Sequence, residues 1–350
     1  MGHRHGLPRR AGWGSALASL LCVASVASAQ TPDPDFYRGK TIRLIVGAAP
    51  GAAYDFAGRV VATHLGRYIP GQPSIVVENM PGASSIIMLN HLYNRAARDG
   101  TAMGMSLSGV VHERRLQGLS HNGSNVQFDI ARMNWIGTPA QQPFIYIVWG
   151  KTPLQTFKDL VDSQATFATT SQGGDNWVMP VLTNQLLGTR IKLVAGYKGV
   201  NDIFLAMEQG EVQGTGVVLS SLLGKEDWMR DHKARVLLQF GVTRNPAVKD
   251  VPTAIELATS EDDRRMLAAY ATKFRTTYPI MMPPEVPPER VKMMRTAFDA
   301  AMKDPQLIAD AKKFGIDVDP VSGEDIGKIV AELDALPQPI VDRLRKLLEQ

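Results

Sequence analysis

From Thr41 onward the chain repeats one unit: an apolar β-branched run, a loop of small residues, and a segment with helical spacing. TIRLIV (41–46) ends at Gly47 and reads as a buried strand. Residues 54–69 follow, with Phe56, Val60, Val61 and Leu65 on one helical stripe. SIVV (74–77) is the second strand, and the spacing of Ile86, Leu89 and Tyr93 predicts a helix over 85–97. Asp99-Gly100 then turns the chain into a third strand over 102–107. Strands and helices alternating at this spacing imply right-handed parallel βαβ units, because parallel neighbours need a crossover.

The grammar repeats from Phe144. FIYIVW (144–149) is a strand, 154–161 a short helix, 165–169 a strand, and 170–176 a polar loop. A helix is predicted over 178–187, where Pro180 is tolerable only in the first turn. Residues 191–195, 200–209, 212–218, 219–231 and 236–240 continue the alternation, so a second open sheet flanked by helices is expected. The tail differs. Residues 281–288 are proline-rich and predict a surface crossing; Val291, Met294, Phe298 and Ala301 predict an amphipathic helix over 288–303. Ser322-Gly323-Glu324-Asp325 has the form of a capping box, with Asp in the fourth place. The fold class is therefore α/β with two lobes; periodicity alone leaves tandem and interleaved arrangements open.

The first residues stand apart. Arg4, Arg9 and Arg10 precede a short apolar run (15–25), and Ala27-Ser28-Ala29 offers a small-residue cleavage pattern. This predicts a secretory signal peptide over residues 1–29, cut after Ala29, and hence a periplasmic protein. Cys22 lies inside that leader and is the single cysteine, so disulfides, thiolate nucleophiles and cysteine-bound metals are excluded from the mature chain. Setting aside the three leader arginines leaves 35 of the 38 Lys+Arg against 34 Asp+Glu, so the mature chain is nearly neutral. No basic block interleaved with aromatics points to nucleic acid, and no later run approaches the roughly 20 apolar residues of a membrane span.

The chemistry falls on the small-residue loops. Gly51, Ala52, Ala53, Tyr54 and Asp55 join the first strand to its helix; Gly82, Ala83, Ser84 and Ser85 do so after the second. In open α/β sheets, ligands bind at the carboxyl ends of strands. Small side chains let amide N–H groups approach an anion, and helix N-termini favour negative charge. Each loop alone is equally an ordinary turn; two in succession favour a carboxylate cradle. Neither is a phosphate loop or a dinucleotide fingerprint.

The run FYRGKTIRLIVGAAPGAAYDFAGRVVATHLGRYIPGQPSIVVENMPGASS resembles the N-terminal half of the tripartite tricarboxylate transporter receptors, the Bug or TctC family. Glu78-Asn79-Met80-Pro81-Gly82-Ala83 follows the family's V-x-E-N-x-P-G-A-G pattern. Ala195-Gly196-Tyr197-Lys198-Gly199 and Asp250-Val251-Pro252-Thr253 are similar to its V-x-Y-K-G and D-V-P-T segments. The resemblance implies a Venus-flytrap, periplasmic-binding-protein-like fold with interleaved lobes: 30–138 plus 240–350 as the first, 139–239 as the second, with crossings near Pro139 and Phe240. It places the ligand carboxylate on the two first-lobe loops, partly through waters. The second lobe would close from the loop carrying Ser171, Gly173, Gly174 and Asp175. This sequence departs from the family at Ala52-Ala53 and Ser84-Ser85, where glycines are usual.

Single residues carry paired readings. Asp55 either stabilises its helix and loop or touches ligand, with the former favoured. Asp175, or Asn176, caps a helix or pairs with an amine or hydroxyl of the ligand. Ser106 and Ser108 follow the third strand as possible donors, Tyr197 belongs to the cleft or the core, and Ser220 is a weaker candidate. The function expected is capture of a small organic acid by hinge closure and delivery to the membrane subunits of a tripartite transporter, without catalysis, cofactor or metal, by a monomer. The alternatives are a ligand-sensing accessory to a membrane sensor and a secreted α/β hydrolase, the latter lacking a nucleophile–base–acid set.

Overall fold

The structure, a computed structural model, describes residues 1–3, 33, 35–112, 126–172, 174–223 and 225–348. All but the first three residues of the predicted leader, and Gly173, lie outside the described residues. From residue 33 onward the chain forms two mixed sheets. The first half of the chain runs β1 (Thr41–Val46), α1 (Ala53–Leu65), β2 (Ser74–Asn79), α2 (Ile86–Asn94), β3 (Ala102–Met105) and β4 (Asn134–Thr138). Then come β5 (Phe144–Trp149), α3 (Phe157–Asp162), β6 (Gln164–Thr169), α4 (Asp175–Leu186), β7 (Arg190–Ala195), α5 (Val200–Gln209), β8 (Gly214–Val218), α6 (Ser220–Leu223), α7 (Glu226–Arg230) and β9 (Ala234–Phe240). The remainder is α8 (Ala254–Leu257), α9 (Glu261–Arg275), β10 (Ile280–Met282), α10 (Pro288–Ala301), α11 (Pro305–Lys313), β11 (Val321–Ser322), α12 (Gly323–Asp334) and α13 (Gln338–Leu348).

The first sheet has the order β11-β4-β10-β3-β1-β2, the second β7-β6-β8-β5-β9. β1 pairs in parallel with both β2 and β3, and β6 with both β7 and β8, as βαβ units require. β5 runs antiparallel to β8 and β9. The chain leaves the first sheet after Thr138, enters the second at Phe144, and returns beyond Phe240 to β10.

Side-chain alternation along each strand divides the core into three. Leu44 and Val46 of β1 join Met103, Ile136 and Ile280 under α1 and α10, while Ile45 points to the opposite face. That opposite face is continuous with one face of the second sheet (Tyr146, Phe167, Leu238) through α4, α9, α12 and α13. The far face of the second sheet packs Ile145, Ile147 and Val217 against α5 and Trp228. The C-terminal α13 lays Ile340, Val341, Leu344 and Leu347 against α4 and α9, so the chain's last helix braces a helix of the second sheet.

Two expectations need correction. Residues 281–288 do not all cross the surface: Ile280, Met281 and Met282 are fully buried as β10, antiparallel between β3 and β4. Pro279 and Pro283 flank this strand, so only three residues lie between them, too few to show a period. Each proline still supplies a carbonyl, to the Ser106 amide and to Asn134 Nδ2. The helix around Pro180 starts at Asp175, three residues earlier than predicted, which puts Pro180 in its second turn. Ser322 caps α12 as expected: its Oγ accepts from the Asp325 amide and donates to the Asp325 carboxylate.

Candidate ligand-binding site

The loops after β1, β2 and β3 are laced together by their own side chains. Asp55, 2% exposed, accepts from the Gly51 amide (2.8 Å), from Asn79 Nδ2 (2.9 Å) and from Arg59. Burial raises its pKa, but these donors outweigh burial and hold the carboxyl below its usual range. Asn79 Nδ2 also donates to the Ala48 carbonyl, and Glu78 takes a two-pronged contact from Arg43 on β1. The Glu-Asn pair of the second loop is thus structural. Gly51, at φ +80°, spends its amide on Asp55 rather than offering it to a ligand.

Ser85 joins all three loops. Its buried Oγ donates to the Gly47 carbonyl (3.0 Å) and accepts from the Leu107 amide (3.1 Å). A Cβ on Gly47 would lie 2.4 Å from that Oγ, so glycine is required there. Gly82 (φ +130°), Ala83 (+45°), Ser84 (+52°) and Ser85 (+79°) all stand at positive φ, three of them with a Cβ. Each such residue carries about 1–2 kcal/mol of strain in a left-handed conformation. The loop keeps its shape without the glycines that would adopt it freely.

Beyond β3, Ser106 is buried and its Oγ donates to the neighbouring Leu107 carbonyl. The Ser108 amide donates to the Tyr54 hydroxyl, and the Tyr54 ring stands edge-on to Tyr278 at 4.9 Å. Burial pushes the Tyr54 hydroxyl up, while the Ser108 contact and the charge of Lys273 oppose it. Lys273 belongs to α9, a helix that the sequence reading did not place. Its Nζ contacts Asp175 Oδ1 at 2.5 Å, and the Tyr270 hydroxyl donates to the same oxygen at 3.2 Å. Burial works against the Lys273 ammonium, but Tyr270 and Asp175 overcome it and raise its pKa. His112, from the segment after β3, is held neutral by burial with its pKa down to about 3, and its Nε2 lies 3.0 Å from the Ala269 carbonyl. The Ser108–His112 segment, the start of α4 and the inner face of α9 therefore meet around one ion pair.

Asp175 is the first residue of α4, whose N-cap is Gly174, and its carboxylate is committed to α9 rather than to capping. Ser171 is exposed, Gly174 is half-buried, and Ser220 opens α6. Tyr197 packs against the core under α5, and its amide donates to the Thr169 carbonyl. The Thr169 hydroxyl, buried at the end of β6, has no hydrogen-bond partner among the described residues. The helices α1, α2, α4 and α5, each after a strand with a parallel partner, have Ala52, Ser85, Gly174 and Gly199 as their N-caps, and none of these helices has a side-chain cap. By contrast, Ser260, Asp304 and Ser322 cap α9, α11 and α12. First-turn amides left without a side-chain acceptor are free to bind a ligand's oxygens or water. The described residues contain no cluster of three His, Cys, Asp or Glu able to hold a metal ion.

The model of the tripartite tricarboxylate transporter family receptor matches residues 58–345. The chain belongs to that family. A Cupriavidus necator protein described as "UPF0065 protein in gbd 5'region" is 23% identical over 98% of both chains. A ligand-free TctC solute binding protein from Polaromonas matches with a TM-score of 0.70 and 16% identity, over 89% of this chain and 99% of that one. An R. palustris structure with adipate matches with a TM-score of 0.57 and 18% identity, over 89% and 98%. This receptor thus has the two-lobed α/β fold of the periplasmic solute-binding proteins. No helix among its described residues is long and apolar enough to cross a membrane.

The sequence reading named the loops after β1 and β2 and Asp175; it did not name Tyr270 and Lys273, which the structure sets against the Asp175 carboxylate. One signal was present: Met266, Tyr270, Lys273 and Phe274 fall on one helical stripe, and a lysine on a stripe otherwise apolar needs a buried partner.

Proposed function

We propose that this receptor captures a small carboxylated organic molecule between its two lobes and delivers it to the membrane subunits of a tripartite transporter, without turning it over. The observation that carries the reading is the set of uncapped helix N-termini, α1, α2 and α4, on the loops where the elements of the two sheets meet around Lys273. Such a site offers fixed donors to an anion and no nucleophile–base pair. Family membership and the adipate in one structural relative support the same chemistry. Export by the 1–29 leader places capture in the periplasm. The lobes close about the segments near Pro139 and Phe240, and ligand shifts the population toward the closed form. Gly51 and Asp55 shape the first loop, and the first-turn amides of Ala53 and Tyr54 face the ligand with those of Ala83 and Ser84.

Thermal-shift screening of the mature chain over mono-, di- and tricarboxylates, amino acids and aromatic acids tests this. A binder at a hundred times its Kd stabilises by about 2.7 kcal/mol, which raises Tm by roughly 4 °C in a chain of this size. Stabilisation by one class of carboxylate is expected. A flat response to every carboxylate would overturn the reading.

A further inference from the structure

We infer that Lys273 is the cation that receives a carboxylate of the ligand, that Asp175 holds its place until the ligand arrives, and that the ligand is a dicarboxylate. The inference rests on the carboxylate-capture reading and names the partner of the second acid group.

Lys273 is the charge around which the site is built. Its side chain is 17% exposed, and its ammonium lies 5.0 Å and 5.8 Å from the ring centres of Tyr270 and Phe274 on its own helix. The other titratable groups in contact with or within electrostatic range of it do not compensate its charge: burial keeps His112 neutral and raises the Tyr270 and Tyr54 hydroxyls. Asp175 is its counter-ion. The two partners are unequal, because the Asp175 side chain is 34% exposed, twice as much as Lys273. When an anion enters, the carboxylate that can turn to water is Asp175, while the ammonium has nowhere wetter to go.

What Asp175 would vacate is a carboxylate-shaped place. Lys273 Nζ and the Tyr270 hydroxyl converge on a single oxygen, Asp175 Oδ1. The start of α4, without a side-chain cap, stands behind them. A ligand carboxylate there takes over both donors, so the exchange conserves charge pairing at Lys273. The first-lobe loops, with their own uncapped helix starts, are a separate place for an acid group, and the field of Lys273 reaches Tyr54 at their edge. One carboxylate on the first-lobe amides and one on Lys273 make a ligand with two acid ends.

The test uses isothermal titration of the mature chain with adipate and with hexanoate, which has the same six carbons and one acid end, alongside succinate and glutarate. Wild type is expected to prefer a dicarboxylate to its one-ended counterpart. Lys273→Met should weaken dicarboxylate binding about thirty-fold or more and erase that preference. Asp175→Asn, which removes the competitor and leaves the ammonium, should tighten it about tenfold. Because Lys273→Met leaves Asp175 unpaired, the double variant Asp175→Asn/Lys273→Met supplies a neutral pair; a folded double variant without the preference supports the inference. Wild-type binding of a dicarboxylate that Lys273→Met or the double variant retains, with Asp175→Asn no tighter, overturns the inference and leaves carboxylate capture standing. Binding of no carboxylate by wild type or Asp175→Asn overturns both.

Discussion

Ser84 and Ser85 stand side by side and both adopt positive φ; replacing each by glycine should move stability in opposite directions. Ser84 is exposed at φ 52°. Glycine there releases about 1–2 kcal/mol of left-handed strain against about 0.4–1 kcal/mol of added unfolded-state entropy, a net gain of up to about 1 kcal/mol. Ser85→Gly releases similar strain but deletes the Oγ contacts to the Gly47 carbonyl and the Leu107 amide, each contributing about 1 kcal/mol where burial makes replacement by water difficult. The net is a loss of about 1–2 kcal/mol. Urea unfolding followed by circular dichroism should therefore separate the variants by about 2 kcal/mol, and thermal midpoints by roughly 3 °C. A second arm tests the cause. Gly47→Ala places a Cβ 2.4 Å from Ser85 Oγ and 2.6 Å from its Cβ, atoms that Ser85→Gly removes. Gly47→Ala should consequently be less damaging in the Ser85→Gly background, by about 1–3 kcal/mol of coupling. If Ser85→Gly proves as stable as Ser84→Gly, or the two substitutions simply add, the three-loop tie at Ser85 is wrong.

Asp55→Ala should destabilise by about 2–3 kcal/mol in urea titration, because the Gly51 amide and Asn79 lose their acceptor while the half-exposed Arg59 re-solvates. The Asp55 carboxyl is held low in the fold, so its contribution is present at neutral pH and lost as pH falls through the folded pKa, below 3.8; Asp55→Ala should flatten that part of the acid limb. His112 acts over a higher window. With its folded pKa at about 3 against an ordinary 6.5, the unfolded chain binds the extra proton between them, and stability declines by roughly 1.4 kcal/mol per unit as pH drops from about 6.5 toward 3. His112→Gln, which keeps a donor toward the Ala269 carbonyl, should weaken that slope in unfolding titrations at pH 4–7; an unchanged slope would place the proton uptake elsewhere.

Much of the scaffold was legible because its signals are local. β5 and α5 fall where pattern placed them, since an apolar run between turns and a capless amphipathic stripe declare themselves within ten residues. Asp55, favoured as a residue that stabilises its own helix and loop, does accept the Gly51 amide of that loop. Illegible features depended on partners far along the chain. β10 is three residues between prolines and becomes a central strand only because β3 and β4 offer it edges. Asp175 could be read as a cap or a ligand contact; its carboxylate meets Lys273, 98 residues away along the chain, and the cap position falls to Gly174.

By itself, then, the sequence determined the α/β alternation and the small-residue loops at the strand ends, each encoded within a single segment. Only the tertiary structure decided which polar groups those loops spend on one another. Ser85 ties three loops, Gly51 gives its amide to Asp55, and α9 carries a part-buried lysine to the start of α4. The physical reason is that hydrogen bonds and ion pairs are satisfied by proximity in space, and in a chain that leaves one sheet for another and returns, proximity is fixed by topology rather than by separation along the sequence.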